Sequence, residues 1–326
     1  MSFIIKYAFR QSFTIEPPMK HGMTVPDIFT ALAVVTIWGV NFVVIKLGLQ
    51  DLPPILFTAL RFLFAALPLA LFVKRPDTSL KLLLVFGLFQ FAIQFTLLFT
   101  GIKLGLPAGL ASLVIQLQAF FTIGLAVLLL KERPRPVQLA GALVALAGMA
   151  VVAVNLEARA TLIGFALVVL AAVCWAVANI AGKQMGQPKQ ADAAPHPVSA
   201  LSLMVWASVV ATPPLLLASW LVEGPAAWQA AVQHFRWNTL WAVLFNAWPN
   251  TLLGFGIWSM LMRKYPTTTV APYALLVPVA GMLTAAVVLG EALQWWKIVA
   301  GLLVLGGLAL NQFGDRLWQR LSPPPS

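Results

Sequence analysis

The sequence predicts an all-α polytopic membrane protein: ten transmembrane helices, built as two inverted five-helix repeats around a central cavity. Three observations carry that expectation. The 326 residues are 60% hydrophobic and only 10% charged, with a mean hydropathy of +0.89, whereas soluble domains carry about 25% charged residues. When ten apolar segments are drawn as crossings, fifteen of the 21 Lys and Arg fall on the side shared by both termini, five fall opposite, and Arg61 sits inside a helix. Features of the first half also recur, in order, in the second. The positive-inside rule makes the basic side cytoplasmic, and losing or adding one crossing would scramble the bias.

A spanning helix needs roughly 20 apolar residues at 1.5 Å rise each. Runs of that kind place helices at 28–48, 55–73, 80–100, 107–130, 137–156, 162–182, 198–222, 239–261, 267–290 and 295–313. The longest expected loops are 183–197, cytoplasmic and rich in Pro and Ala, and 223–238 outside. The chain thus divides into an N-terminal cytoplasmic segment (1–27), a first repeat (28–156), a second repeat (162–313) and a cytoplasmic tail (314–326). In the first 22 residues Lys6, Arg10 and Lys20 alternate with Phe3, Ile4, Ile5, Tyr7, Phe9 and Phe13. No apolar run with a cleavage site makes this a secretory signal. Two readings stand: a short helix on the inner leaflet, or a start assigned too early, with Met23 as the true beginning.

The internal repeat rests on spacing. Trp38 is followed eight residues later by Lys46, and Trp175 eight residues later by Lys183. Asn41 stands three positions after Trp38, and Asn179 four after Trp175. Glu132 and Glu291 end helices 4 and 9, and sixteen residues beyond each stands a glycine, Gly148 and Gly307. Five crossings is an odd number, so the second copy is threaded upside down. The charges agree: the Glu132 loop carries Lys131, Arg133 and Arg135, and the Glu291 loop only Lys297. Inverted repeats of this kind are the architecture of alternating-access carriers, with substrate near the midplane between the repeats.

Several functions are excluded. A net charge of +11 would suggest nucleic acid in a soluble protein; here it lies in short loops beside the lipid bilayer, and no nucleic-acid partner is expected. The single cysteine, Cys174, cannot build a disulfide framework or a thiolate cluster, and reads as packing. The carboxylates fall in loops or at helix ends, which leaves no midplane proton or Na⁺ relay. No nucleotide-binding loop is present. His21, His196 and His234 lie in loops on different sides, so no metal site or other cofactor is expected. A membrane enzyme would need clustered Asp, His or Cys near one interface, and a passive channel would need symmetric rings of charge or carbonyls. The sequence shows no such cluster, and an inverted repeat does not supply such rings, which leaves both as disfavoured alternatives of a different class, the channel the harder to exclude. The sequence does not fix an oligomeric state and is compatible with a monomer.

Polar side chains within hydrocarbon are costly and face the bundle interior, which makes them the site candidates. Gln90 and Gln94 form an i, i+4 pair on one face of helix 3. Gln116 and Gln118 of helix 4 point about 200° apart and cannot both face one cavity. Each could bind a zwitterionic substrate or make an interhelical bond worth about 0.6 kcal/mol. Trp38 and Trp175 sit at least a turn inside their helices, which suits a cavity wall better than an interfacial belt. Asn41 and Asn179 share nearly the same faces and are expected to line the cavity with them. Lys46 and Lys183, at helix ends, read as snorkelling to the headgroups. Arg61 lies roughly 9 Å from the outer end of helix 2; it could attract a substrate carboxylate, reach outward to water, or pair with Asp51. Pro278 interrupts helix 9 near the point corresponding to Gln118, and the carbonyl it frees suits a broken-helix substrate site. Trp258 and Tyr273 would add aromatic walls. Gly141 and Ala145 read as close packing on a small-xxx-small face.

The stretches WGVNFVVIKLGL (38–49), LRF (60–62), LGLPAGLASLVIQLQAFFTIGLAVLLLKE (104–132), CWAVANIAGKQ (174–184), GFGIW (254–258) and VAPYALLVPVAGMLTAAVVLGE (270–291) carry a family likeness. Over about 27–313 the chain resembles the drug/metabolite transporter superfamily, specifically its EamA group. That resemblance implies a ten-helix basket with both termini cytoplasmic. It also implies a secondary transporter of the bacterial inner membrane that exports small amino-acid metabolites such as O-acetylserine or cysteine. Other amino acids, nucleobases or drugs are the alternative cargo. Two positions depart from the family pattern: Tyr273-Ala274, where a smaller apolar residue and Ser are expected, and Ala292, where Arg is usual. The first bears on the cavity lining and hence on the substrate.

Overall fold

The computed structural model describes residues 23–321 apart from 68, 131–135, 156–158, 186–198, 234–235 and 266–269. The N-terminal segment, most of the 183–197 loop and Glu132 therefore lie outside the described residues. Among those described, every regular element is helical.

Helix α1 (Val25–Gly48) opens with Pro26 in its first turn, where the missing N–H is not needed. Helix α2 (Pro54–Ala66) stops early. Leu67, before Pro68 in the sequence, is extended at φ −94°, ψ 139°, the conformation a following proline favours. The expected 55–73 helix is thus cut short and followed by a 3₁₀ turn at Leu69–Leu71. Helix α3 (Leu80–Lys103) widens to a π-helix over Gly87–Ile93. Helix α4 comprises Ala108–Val114, a 3₁₀ turn at Ile115–Leu117, and Gln118–Leu130. Helices α5 (Pro136–Val154) and α6 (Arg159–Met185) follow, then α7 (Ala200–Ala218), which ends in a π-turn, Ser219–Glu223.

The expected outer loop 223–238 is instead largely helical: α8 spans Gly224–Gln233. Gly224 makes the corner with φ 80°, a region that glycine enters at no steric cost. Trp228 Nε1 donates to Ser219 Oγ at 2.9 Å, and Glu223 accepts from the N–H groups of Ile55 (2.6 Å) and Leu56 (2.9 Å). A carboxylate at the N-terminus of α2 complements the helix dipole. Helix α9 comprises Trp237–Phe245, a π-helix over Asn246–Leu253, and Gly254–Lys264. A 3₁₀ segment, Ala271–Leu276, leads into α10 (Val277–Leu289). Helix α11 (Trp295–Leu321) runs past the expected end at 313, so much of the predicted tail is helical.

By length and hydropathy five helices among the described residues can cross a membrane: Val25–Gly48, Leu80–Lys103, Ala108–Leu129, Thr161–Met185 and Ala200–Gln233. Shorter apolar helices lie at Pro54–Ala66, Leu139–Val152, Val277–Leu289 and Trp295–Leu310. Leu128, Leu143, Leu221, Val287, Trp295 and Leu302 are exposed on their outer faces. In water they would be an aggregation surface; against lipid they are the expected exterior.

Small residues decide the close approaches. A Cβ built on Gly307 of α11 would lie 2.4 Å from the carbonyl of Gly141 and 2.9 Å from the amide of Ala145, both on α5. One built on Gly148 of α5 would lie 3.0 Å from the carbonyl of Ala300 on α11. The expected small-residue face is therefore where α5 and α11 meet, antiparallel. Gly39 of α1 abuts Ala280 and Gly281 of α10, and Gly101 of α3 abuts Gly164 of α6.

Candidate functional site

The predicted site residues fall into four groups rather than one. In the seam between α4 and α6, Asn179 Nδ2 donates to Gln118 Oε1 at 2.7 Å and to Thr122 Oγ1 at 3.0 Å. Gln118 opens the last part of α4, just after its 3₁₀ turn. Gln116 lies within that turn, half-buried, and takes no part in the bond. Trp175, half-buried, packs against the main hydrophobic core one turn before Asn179. Thr122, one turn beyond Gln118, was not anticipated.

A second group joins α1, α9 and the segment before α10. Trp38 Nε1 donates to the carbonyl of Asn250 at 3.2 Å, and its ring lies 5.2 Å from both Phe255 and Trp258. Gly254 makes room, since a Cβ there would stand 2.6 Å from Trp38 Nε1. Trp258 and Tyr273 both pack on the small cluster of Ala31, Leu261, Tyr265 and Val270. Three of the four predicted aromatics, Trp38, Trp258 and Tyr273, are therefore neighbours. Asn41, one turn further along α1, is buried, and its Oδ1 has no hydrogen-bond partner.

Pro278 needs a correction. It does not interrupt a continuous α-helix; it occupies the first turn of α10, where no N–H is required, and the six residues before that helix are 3₁₀. Its carbonyl accepts a long bond from Ser112 Oγ at 3.5 Å. The break is real but lies one turn earlier, and it has a counterpart. In α4 the α-helix resumes after 3₁₀ at Gln118, in α10 at Val277, and these two positions are spaced like Glu132 and Glu291.

Arg61 is completely buried. Its Nη2 and Nε reach Thr251 Oγ1 at 2.9 and 3.3 Å. Its guanidinium lies 3.9 Å from the Phe95 ring centre and 5.0 Å from that of Phe62, within cation–π range. It does not reach outward, and Asp51 is not its partner: Asp51 accepts from Thr239 and stands 3.7 Å from Arg236. Thr251, Asn246 and Asn250 belong to the π-helical part of α9 and were missed from sequence. Two asparagines one turn apart beside Pro249, deep in an apolar run, were the available signal.

Gln90 and Gln94 form the fourth group. Both are buried in or beside the π-helical part of α3, and Gln90 Nε2 donates to Gln94 Oε1 at 2.9 Å. At the ends of α1, ion pairs replace the expected snorkelling. Lys46 Nζ meets Glu291 Oε1 at 2.9 Å, and Glu291 also accepts from the N–H groups of Ala108 (2.9 Å) and Gly109 (3.2 Å). At the other end Asp27 accepts from Lys264 Nζ at 2.6 Å and from the Tyr265 hydroxyl. Among the described residues no group of His, Cys, Asp or Glu could hold a metal ion.

An apolar exterior enclosing seams of neutral amides and hydroxyls defines the class: a multi-pass helical membrane protein with a polar interior. The profile of the EamA-like transporter family matches residues 26–154 and again 162–313. The chain belongs to that family, one of transporters rather than enzymes. It is 43% identical to a Salmonella typhimurium protein named "Probable amino-acid metabolite efflux pump", over 90% of this chain and 97% of that one. An Escherichia coli protein of the same name is 39% identical over 91% and 98%. A "Probable terminal-alkyne amino-acid exporter" of Streptantibioticus cattleyicolor is 31% identical over 86% and 90%. A solved crystal structure, at 20% identity and a TM-score of 0.59, covers 92% of this chain and all of its own, and shares the fold.

Proposed function

We propose that this protein is a secondary carrier of the bacterial inner membrane that exports small amino-acid metabolites of the O-acetylserine and cysteine kind by alternating access. Ten spans form two inverted five-helix repeats, 28–156 and 162–313, around a central cavity, with both termini cytoplasmic. The observation that carries the substrate class is the 43% identity, over 90% of the chain, to a relative named for amino-acid metabolite efflux. The inverted threading is supported by the packing of α5 on α11: Gly148 meets Ala300 as Gly307 meets Gly141, a reciprocal antiparallel contact between corresponding helices. It is supported again by the π-helical segments of α3 and α9, whose starts, Gly87 and Asn246, are spaced like Glu132 and Glu291.

The cavity is proposed to be lined from the two seams, by Trp38, Asn41, Trp258, Tyr273 and Pro278 on one side and by Trp175, Asn179 and Gln118, rather than Gln116, on the other. Arg61 and the Gln90–Gln94 pair complete the proposed lining. Neutral hydrogen-bonding groups suit a zwitterion that must bind and then leave. The test is uptake of labelled O-acetylserine and cysteine into everted vesicles. Saturable, protein-dependent uptake stimulated by counter-substrate is expected, and its absence for both compounds removes this cargo. Accessibility labelling that puts the two termini on different faces of the bilayer would remove the repeat arrangement itself.

A further inference from the structure

We infer that Arg61, Asn41 and Asn246 form the binding site for the two charged groups of a free α-amino acid, Arg61 for the carboxylate and the two asparagine oxygens for the ammonium. The assignment rests on the amino-acid export reading and gives it a recognition mechanism. It begins from an accounting of buried polar atoms. Among the described residues, three buried side-chain atoms have no hydrogen-bond partner: Asn41 Oδ1, Arg61 Nη1 and Asn246 Oδ1. Unbonded buried polar atoms are destabilising and rare, so these three need a reason.

The contacts of their helices tie the three residues to one stretch of α9. Helices α1 and α9 run antiparallel, with Trp38 against Asn250 and Gly48 against Ala242. Between those two contacts the register sets Asn41 within about half a turn of Asn246. Arg61 is tied to the same stretch of α9, because the Thr251 hydroxyl that accepts from Arg61 itself donates to the carbonyl of Asn246 at 2.8 Å. Asn246 Nδ2 is already committed to the carbonyl of Ala242 at 3.0 Å, which turns its oxygen away from that bond.

The chemistry of the three atoms is complementary to one class of ligand. Arg61 carries a positive charge, and no ion pair seen among the described residues, such as Lys46–Glu291, Arg236–Asp51 or Lys264–Asp27, involves it. The rings of Phe95 and Phe62 lie 3.9 and 5.0 Å from its guanidinium carbon, and Nη1 remains a donor without a partner. A carboxylate is the anion that a guanidinium binds well. The two amide oxygens are acceptors only, and an ammonium supplies three donors. One donor cation and two acceptors tied to one stretch of α9 match a zwitterion. A nucleobase or an uncharged drug would leave the guanidinium without a counter-charge.

The test uses the full-length protein in nanodiscs and S-methyl-L-cysteine as the probe, with its methyl ester and its N-acetyl derivative, by calorimetry. Wild type should bind the parent roughly 10- to 100-fold more tightly than either derivative, the range for charge-assisted hydrogen bonds. Arg61→Gln should weaken the parent but not the ester, so that their ratio falls to about one. Asn246→Leu and Asn41→Leu should do the same for the parent against the N-acetyl derivative. Equal binding of parent and ester by wild type would overturn the assignment without any variant, which covers the case of an Arg61→Gln protein that does not fold. An unchanged parent-to-ester ratio in folded Arg61→Gln would overturn it too. Failure of wild type to bind S-methyl-L-cysteine, O-acetyl-L-serine and L-cysteine alike would instead remove the amino-acid reading, and this site with it.

Discussion

The seam between α6 and α4 and the seam between α1 and α10 are corresponding parts of the molecule, closed by different means. In the first, Asn179 spans the helices with two hydrogen bonds, to Gln118 and Thr122. In the second the helices meet backbone to backbone, Gly39 on Ala280 and Gly281, and Asn41 is left with an unbonded oxygen. The position after Trp38 is Gly39, whereas the position after Trp175 is Ala176, buried with its methyl group in place. One seam is held by polar bonds and the other by close packing, and only the close-packed one leaves polar capacity unused. Corresponding stretches of one chain can thus close a helix seam by quite different means.

The largest expected effect comes from filling the close-packed seam. A Cβ on Gly39 would lie 2.5 Å from the Cβ of Ala280 and 2.8 Å from the amide of Gly281. Gly39→Ala should therefore cost about 3 kcal/mol, whereas the mirror change Ala176→Gly should cost only about 1 kcal/mol; detergent-solubilised melting curves compare them. Next in size is Glu291→Ala, which removes one acceptor from Lys46 and from two N–H groups of α4, at about 2 kcal/mol. Asn179→Ala should lose about 1 kcal/mol through two interhelical bonds, while Asn41→Ala should leave the melting temperature unchanged. Both should insert normally and both should lose transport in everted vesicles. Equal melting shifts for the two asparagines would erase the contrast between the seams. The smallest effect is expected for Lys46→Ala, within about 0.5 kcal/mol because the lysine is partly exposed.

Much of the fold was legible because apolar length and loop charge are properties of local sequence. The exceptions have physical causes. Hydropathy continues through Leu69, Leu71, Phe72 and Val73, which masked the stop that Pro68 imposes on α2. The Gly-Pro start of α8 reads as a turn, although the alanine-rich stretch behind it favours helix. The site was less legible. Trp38 and Asn41 could be singled out because polar or amphipathic groups inside hydrocarbon stand out. Arg61 stood out too, yet its partner Thr251 lies 190 positions away, and no local pattern links them. Asn246 and Asn250 obeyed the same rule as Asn41 and were passed over beside the more conspicuous repeat. The π-helical widening of α3 has no proline to announce it and follows from packing.

The irregular turns have a mechanical consequence. Two over-wound joints, in α4 and before α10, stand at matching spacings, and so do two under-wound joints, in α3 and α9. Helices flex most readily where the regular ladder is already interrupted. These four matched creases are therefore places where the backbone can bend without melting a turn.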